Sequence, residues 1–120
     1  MKILIIEDEI LIQKSLTKLL QKKGVTVDAT SSGKEALELI YKKDYDRIIC
    51  DLMLTDISGF DVIEESKKVF TNQEISNRFI IMTAYSSDQV HQKAQEYGCI
   101  FLTKPFKSLH DALEIFLRGR

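Results

Sequence analysis

The stretch IICDLMLTDISGF, from Ile48 to Phe60, decides the fold because it joins an apolar strand to a polar loop. Its first three residues are apolar, which is typical of a strand that is buried on both faces. The strand ends on a carboxylate, Asp51, and the loop after it carries a second acid, Asp56, and a glycine, Gly59. A carboxylate in this place indicates either chemistry at the end of the strand or an acid that only caps the loop. The rest of the sequence has to distinguish the two interpretations.

The composition is that of one globular domain. The chain has 120 residues, of which 44% are hydrophobic and 29% charged, so it is long enough to bury a core. The net charge is −1 and like charges form no block, so we expect no direct contact with nucleic acid and none with a membrane. The apolar N-terminal run is too short for a signal peptide or a membrane span, and we therefore expect a cytoplasmic location. Cys50 and Cys99 lack the spacing of metal ligands and are interpreted as buried small apolar residues.

Five short apolar runs alternate with five longer stretches that have the periodicity of a helix. The runs, each predicted as a strand, are Lys2–Ile6, Thr26–Ala29, Arg47–Cys50, Phe79–Met82 and Ile100–Leu102. This alternation predicts an α/β fold with a doubly wound, five-stranded parallel sheet and helices on both faces. For five such units we expect the flavodoxin-like strand order 2-1-3-4-5. The ligand crevice of such a sheet lies at the carboxyl ends of strands one and three, where Asp51 stands.

Three serines mark predicted helix starts, and one polar segment is predicted as a loop. Ser32 and Ser86 each precede a Glu or Gln by three residues, which is the spacing of a capping box. Ser108 is a further candidate N-cap. Residues 71–78, TNQEISNR, are predicted as a loop because they are almost wholly polar.

Carboxylates from two strands meet at the predicted crevice. The loop after strand one reads EDE and begins with Glu7 and Asp8, beside Asp51. Like charges at close range disfavour ionisation, and a hard divalent cation relieves this cost. Mg²⁺ suits such a site, with Mn²⁺ as an alternative. Glu7 and Asp8 alone could merely end the strand and favour the next helix N-terminus, but the third acid from another strand favours the metal.

Strands four and five bring hydrogen-bond donors and a positive charge to the same edge. MTAY places the Thr83 hydroxyl and the Ala84 N–H there, and FLTKPF places Lys104, followed by the only proline, Pro105. Taken singly, Lys104 could be a surface lysine and Thr83 a strand-end residue. Together with the acids they indicate a phosphoryl group beside a metal, whose oxygens need charge and donors on every side.

The ordered elements IIEDE, IICDLML, IMTAY and FLTKPF resemble the receiver domain of two-component response regulators along nearly the whole chain. The resemblance implies that residues 1–120 form a single receiver domain without an output domain, and Met1 directly before strand one favours a place at its protein's N-terminus. It implies a phosphorylation-activated signalling switch, not an enzyme, although such domains promote their own phosphoryl transfer and slow dephosphorylation. The implied partners are a sensor histidine kinase or a histidine phosphotransfer protein, and an unknown downstream target or output domain.

The resemblance also implies how a phosphoryl group and its metal are held. Asp51 becomes the phosphoacceptor, which takes its phosphoryl group from a phosphohistidine. Asp8, Asp51 and the backbone carbonyl of Met53 ligate Mg²⁺ directly, and Glu7 does so through water. The phosphoryl-binding groups are Lys104, the Thr83 hydroxyl and the Ala84 backbone N–H.

Further residues have implied roles in switching and in the lifetime of the phosphoryl group. Thr83 moves toward the phosphoryl group and Phe101 turns inward behind it, unless Phe101 is a plain core aromatic. The face that partners read is formed by the fourth predicted helix, strand five and the fifth predicted helix. Met53 and Tyr85 lie where the family tunes hydrolysis, and the peptide bond before Pro105 is expected to be cis.

Two other functions fit parts of the pattern. DLMLT, residues 51–55, is one substitution from the D-x-D-x-T motif of haloacid-dehalogenase phosphatases, but Met53 replaces their second Asp and no cap segment is present. A degenerate receiver that binds partners without phosphorylation is the second. The complete set of acids, hydroxyl and lysine argues against it.

Overall fold

The computed structural model describes residues 1–118, in which five parallel strands lie between two layers of helices. The strands are β1 Lys2–Ile6, β2 Thr26–Thr30, β3 Arg47–Asp51, β4 Phe79–Thr83 and β5 Ile100–Thr103. The helices are α1 Ile10–Lys22, α2 Gly33–Lys42, α3 Gly59–Ser66, α4 Asn72–Arg78, α5 Asp88–Tyr97 and α6 Leu109–Arg118. The strand order is β2-β1-β3-β4-β5, so the predicted doubly wound topology is confirmed.

The strands run one residue further at their carboxyl ends than the apolar runs, except β1, which ends as predicted. This extension makes Asp51 the last residue of β3 and Thr83 the last residue of β4. β4 pairs with both β3 and β5, with Asp51 opposite Met82 and Thr83 opposite Thr103. The register therefore places Asp51 of β3, Thr83 of β4 and Thr103 of β5 at the same edge of the sheet.

Hydrophobic clusters cover both faces of the sheet, which explains why β1, β3 and β4 are almost wholly apolar. Along β1, Leu4 and Ile6 join the cluster under α2 to α5, while Ile3 and Ile5 join the cluster under α1 and α6. Such alternation follows from the two-residue period of a strand. Fully burying one such side chain contributes about 1.5–3 kcal/mol, so the sheet is a stable platform for the residues at its end.

The two cysteines occupy buried positions, as predicted. Burial raises the pKa of the Cys50 thiol well above its ordinary value. A protonated buried thiol behaves as a small apolar group.

A short helix, α4, occupies the segment predicted as a loop, so the described residues contain six helices and not five. Its start is a capping box: the Glu74 N–H donates to Thr71 Oγ1 at 3.1 Å, and the Thr71 N–H donates to Glu74 Oε1 at 3.0 Å. Ile75 is buried against the core. The T-x-x-E spacing is a helix signal that the polar composition of the segment obscures.

The predicted N-caps are confirmed at two serines and wrong at the third. Ser32 and Ser108 each accept the backbone N–H of the residue three further on, at 3.1 and 3.2 Å. The cap of α5 is Ser87, not Ser86, and the Ser86 hydroxyl lies instead 2.7 Å from Nε2 of His91. The two adjacent serines have nearly the same local signal, so sequence alone does not separate them. None of the helices in residues 1–118 is long and apolar enough to cross a membrane.

Candidate functional site

Three carboxylates meet at the carboxyl ends of β1 and β3. β1 and β3 are paired in register up to Ile6 and Cys50, so the residues that follow, Glu7 and Asp51, are neighbours. Oxygen atoms of Glu7, Asp8 and Asp51 all lie within 4.8 Å of one another. Glu7 and Asp51 are buried and Asp8 is half-buried. The sequence prediction that these acids converge is borne out by this geometry.

Lys104 neutralises part of this cluster. Its Nζ donates to Glu7 Oε1 at 2.6 Å and to Asp51 Oδ2 at 2.9 Å, and it lies 3.8 Å from Glu9 Oε1. The lysine is only 7% exposed, and its backbone N–H donates to the Thr83 carbonyl at 2.8 Å. That backbone bond fixes the start of the loop after β5, so the side chain reaches across β4 to β3. A buried charge requires such partners because an unpaired one is strongly destabilising.

Proton affinities in the cluster reflect burial and crowding. Burial and the neighbouring Asp51 raise the pKa of Glu7 to about 7, although Lys104 acts in the opposite direction. Burial by itself lowers the pKa of Lys104, but Glu7 and Asp51 outweigh it and the pKa is raised above the ordinary lysine value. Near neutral pH the lysine is therefore charged, while Glu7 keeps its proton to a higher pH than an ordinary glutamate does.

The donor set fits a hard divalent cation. Mg²⁺ binds carboxylate and carbonyl oxygens and keeps several waters, and three carboxylates within one small space offer such oxygens. The Met53 backbone also belongs to the site, because its N–H donates to Asp51 Oδ1 at 3.1 Å. Glu7, Asp8 and Asp51 thus lie together, and Met53 follows directly after them in the loop that begins at Leu52.

The end of β4 places a hydroxyl and an exposed loop beside these acids. Thr83 is fully buried, and its Oγ1 accepts the backbone N–H of Tyr85 at 3.1 Å. Ala84 follows Thr83 and is exposed. The side chains of Met53 and Tyr85 are 59% and 57% exposed. Both residues donate a backbone N–H to the site and carry a large exposed side chain.

Phe101 lies between the core and the surface. It is half-buried and packs against the cluster under α2 to α5. Its ring centroid is 4.3 Å from that of the exposed His91 on α5. Phe101 is therefore neither a fully buried core residue nor a fully exposed one. The peptide bond between Lys104 and Pro105 is cis, the geometry expected from the resemblance.

Sequence reasoning left two residues that follow β3, Gly59 and Asp56, without a role. A Cβ built on Gly59 would lie 2.4 Å from the carbonyl oxygen of Asp51 and 2.9 Å from Cα of Leu52, so only glycine fits there. Asp56 extends to the N-terminus of α2, where it accepts three hydrogen bonds. A glycine at a helix start and an acid in a loop are visible in the sequence, but their distant partners are not.

Two curated relatives and one solved structure illustrate what the chain is similar to. The transcriptional regulatory protein CusR of Escherichia coli K12 is 35% identical over 107 residues, which cover 88% of this chain and 45% of CusR. Sporulation initiation phosphotransferase F of Bacillus subtilis is 29% identical over 119 residues, covering 97% of this chain and 93% of that protein. The response regulator TrrA of Thermotoga maritima, solved in complex with Mg²⁺-BeF, has a TM-score of 0.74 and 27% identity, and the match covers 97% of this chain and 95% of TrrA. The chain spans about half the length of the first relatives it matches.

The family assignment agrees with the geometry. Receiver domains are regulatory phosphoacceptor domains that bind Mg²⁺ at an acidic pocket, and Glu7, Asp8 and Asp51 form an acidic pocket here. The family model of the response regulator receiver domain matches residues 3–114, which is nearly the whole chain. The chain therefore belongs to the receiver domain family of two-component response regulators.

Proposed function

We propose that Asp51 accepts a phosphoryl group from a phosphohistidine of a sensor histidine kinase or a histidine phosphotransfer protein. In this proposal the chain acts as one cytoplasmic receiver domain whose output is set by that modification. The observation that carries the proposal is the environment of the Asp51 carboxylate, which is 2% exposed at the end of β3. One of its oxygens is held by Lys104 and the other by the Met53 N–H, beside two further acids.

The transfer balances as a substitution at phosphorus. An Asp51 carboxylate oxygen attacks the phosphorus atom, a P–O bond forms, and the P–N bond to the donor imidazole breaks. The electron pair of that bond stays on the imidazole nitrogen, which takes up a proton. The product is an aspartyl phosphate, a covalent carrier that water later hydrolyses to restore the carboxylate.

The surrounding residues would hold the metal and the transferred group. Asp8, Asp51 and the Met53 carbonyl would ligate Mg²⁺, with Glu7 acting through water. When bound, the ion supplies positive charge where phosphoryl charge accumulates. Lys104, which now donates to Asp51 Oδ2, would pair with a phosphoryl oxygen. The Thr83 hydroxyl and the Ala84 N–H would donate to others.

Switching would follow from a movement of Thr83 and Phe101. The Thr83 hydroxyl accepts the N–H of Tyr85, a residue of the exposed loop after β4, and would give up this bond to reach the phosphoryl group. Phe101 is half-buried, and in this proposal it turns inward behind Thr83. Phosphorylation would then shift the population of a state in which the face formed by α5, β5 and α6 is altered. A target or an output domain would read that face.

Exposed apolar residues on the side of Lys104 support a macromolecular donor. Leu11 is 82% exposed, Ile10 is 48% exposed, and Leu109 is 42% exposed. A cavity of about 270 Å³ lies between α1 and the loop after β5, and Leu11, Lys104 and Pro105 contribute to its lining. Clustered exposed apolar side chains mark surfaces that bind proteins. A protein seated there would bring its histidine to the carboxyl ends of the strands.

The proposal is tested by the intact mass of the protein after incubation with phosphoramidate, a small donor that carries a P–N bond, in the presence of Mg²⁺. We expect the mass to increase by one phosphoryl group in the parent protein and not in Asp51→Asn or in a metal-free sample. A gain that persists in Asp51→Asn would exclude Asp51 as the acceptor. Rapid consumption of the donor without a retained phosphoryl group would favour a phosphatase.

A further inference from the structure

The loop between β3 and α3, residues 52–58, carries the backbone carbonyl expected to ligate the metal. Contacts near the strand hold both of its ends. The Met53 N–H donates to Asp51 Oδ1 at 3.1 Å, and the Gly59 N–H donates to the Leu52 carbonyl at 3.0 Å. The middle of the loop is held to another element through Asp56.

Asp56 spans from this loop to the N-terminus of α2. Its Oδ1 accepts the Gly33 N–H at 3.0 Å, and its Oδ2 accepts the Lys34 N–H at 3.0 Å and the Ser32 hydroxyl at 2.8 Å. The first N–H groups of a helix have no partner within the helix, and the helix dipole favours a negative charge beside them. Backbone donation, first from Lys34, lowers the pKa of Asp56 below its ordinary range, so the carboxylate stays charged at neutral pH.

α2 has an N-cap of its own, so the bonds from Asp56 constrain the loop as well as the helix. The Ser32 hydroxyl already accepts the Glu35 N–H at 3.1 Å. The next loop residue, Ile57, packs so closely on α2 that a Cβ on Gly33 would lie 2.6 Å from its Cγ1. The polar and the apolar contact together fix where the loop rests against α2.

We propose that Asp56 is a positioning residue for the divalent cation, which it serves by anchoring the loop to α2 so that the Met53 carbonyl stays within reach of an ion held by Asp8 and Asp51. This inference rests on the proposed function, from which it takes Met53 as a ligand. Mg²⁺ requires nearly ideal octahedral geometry with ligands at about 2.1 Å. A loop that shifts by a fraction of an ångström loses that ligand, whereas the carboxylates of Asp8 and Asp51 lie outside the loop.

The test is the Mg²⁺ affinity of Asp56→Ala, obtained from the rise in unfolding temperature with Mg²⁺ concentration. Removing a group that orients a metal ligand typically costs 10–100-fold in affinity. We expect about ten-fold here, since one ligand of several is affected. Asp56→Asn keeps one acceptor oxygen and should lose less. At low Mg²⁺, phosphoramidate should phosphorylate Asp56→Ala more slowly than the parent protein. At saturating Mg²⁺ the two rates should be equal.

Thr71→Ala is the matched control. It removes the cap of α4, a change of similar chemistry, from a helix that leads into the amino end of β4, at the edge of the sheet opposite the site. We expect the Mg²⁺ affinity of this variant to equal that of the parent protein. An equal loss in Thr71→Ala would overturn the proposal, because the effect would then be general destabilisation.

Unchanged Mg²⁺ affinity in Asp56→Ala would also overturn the proposal. If Asp56→Ala does not fold, the same measurement on Asp56→Asn tests the proposal, and an affinity equal to that of the parent protein would overturn it. Failure of the proposed function gives a different result. In that case Mg²⁺ would not stabilise the parent protein, or it would stabilise Asp8→Asn equally.

Discussion

Gly59 sets the distance between α3 and the end of β3, and replacing it with alanine should displace the phosphoacceptor. The added Cβ would lie 2.4 Å from the Asp51 carbonyl oxygen and 3.1 Å from its carbonyl carbon, whereas ordinary contacts begin at 3.4 Å. The shortfall to the oxygen is therefore about 1 Å, the difference between 3.4 and 2.4 Å. Both partners are backbone atoms, so a side-chain rotation cannot relieve the clash.

The loss of stability in Gly59→Ala follows from the cost of overpacking. Overpacking of a well-packed site costs typically about 1–3 kcal/mol. Alanine regains part of the helix propensity that glycine lacks, but Gly59 is the first residue of α3 and the gain there is small. We therefore expect Gly59→Ala to lower the free energy of unfolding by about 2 kcal/mol, which corresponds to about 8 °C in the unfolding temperature of a domain of this size. A displacement of about 1 Å at the acceptor can reduce the rate of phosphoryl transfer by about 100-fold.

The free energy of unfolding is measured by urea unfolding followed by circular dichroism, because the chain has no tryptophan whose fluorescence could follow the transition. Gly33→Ala is the control, because there the Cβ would meet Ile57 Cγ1 at 2.6 Å and Val62 Cγ2 at 3.2 Å, both side-chain atoms. We expect its loss of stability to be smaller than that of Gly59→Ala, since side chains can adjust where backbone cannot. Parent-like stability and phosphorylation of Gly59→Ala would refute the reasoning, as would a larger loss in Gly33→Ala.

Three further predictions concern the site itself. Mg²⁺ should raise the unfolding temperature of the parent protein and not that of Asp8→Asn, because an ion that binds only the folded form stabilises it; an equal rise in both proteins would exclude the site. Without metal, the raised pKa of Glu7, about 7 against an ordinary 4.5, means that the folded form binds more protons between these values. The stabilising effect of that proton is complete below pH 4.5 and is lost as the pH rises through 7, so urea unfolding of the metal-free protein should show a decline that Glu7→Gln abolishes. Tyr85→Glu should shorten the lifetime of the phosphoryl group, because a large exposed aromatic that hinders the attacking water is replaced by an acid that can orient it; a lifetime equal to that of the parent would contradict this role.

The sheet and the convergence of the site were predictable because both depend on patterns that are local in sequence. A run buried on both faces is apolar at every position, so Phe79–Met82 predicts a central parallel strand without knowledge of its neighbours. Strict alternation of strands and helices then predicts a doubly wound sheet, and 2-1-3-4-5 is the common strand order for five such units. A polar residue at the carboxyl end of such a run, such as Asp51 or Thr83, must lie at the carboxyl edge of the sheet, where the ligand crevice of such folds is found.

The remaining features depend on contacts that the local pattern does not contain. In the sequence Asp56 looks like an ordinary loop acid, and only the structure shows that its Oδ1 lies 3.0 Å from the Gly33 N–H of α2. Gly59 likewise looks like a turn residue, and only the structure shows that the Asp51 backbone lies against it. The half-buried position of Phe101 depends on how far α5 lies from the edge strand β5. The helix at 72–78 is a different case, because its capping box is local but competes with a polar composition typical of loops.

The metal-free site explains why one residue, Glu7, links the stability of the protein to its readiness for phosphoryl transfer. Counted at full charge, three carboxylates and the ammonium of Lys104 leave two negative charges in a buried space, and a proton on Glu7 removes one of them. A divalent cation cancels both charges and makes that proton unnecessary. The proton and the cation thus relieve the same electrostatic cost, and each should be bound less readily in the presence of the other. In Glu7→Gln, the decline of metal-free stability with pH and the pH dependence of Mg²⁺ binding should therefore diminish together; a variant that loses one and keeps the other would show that they have separate origins.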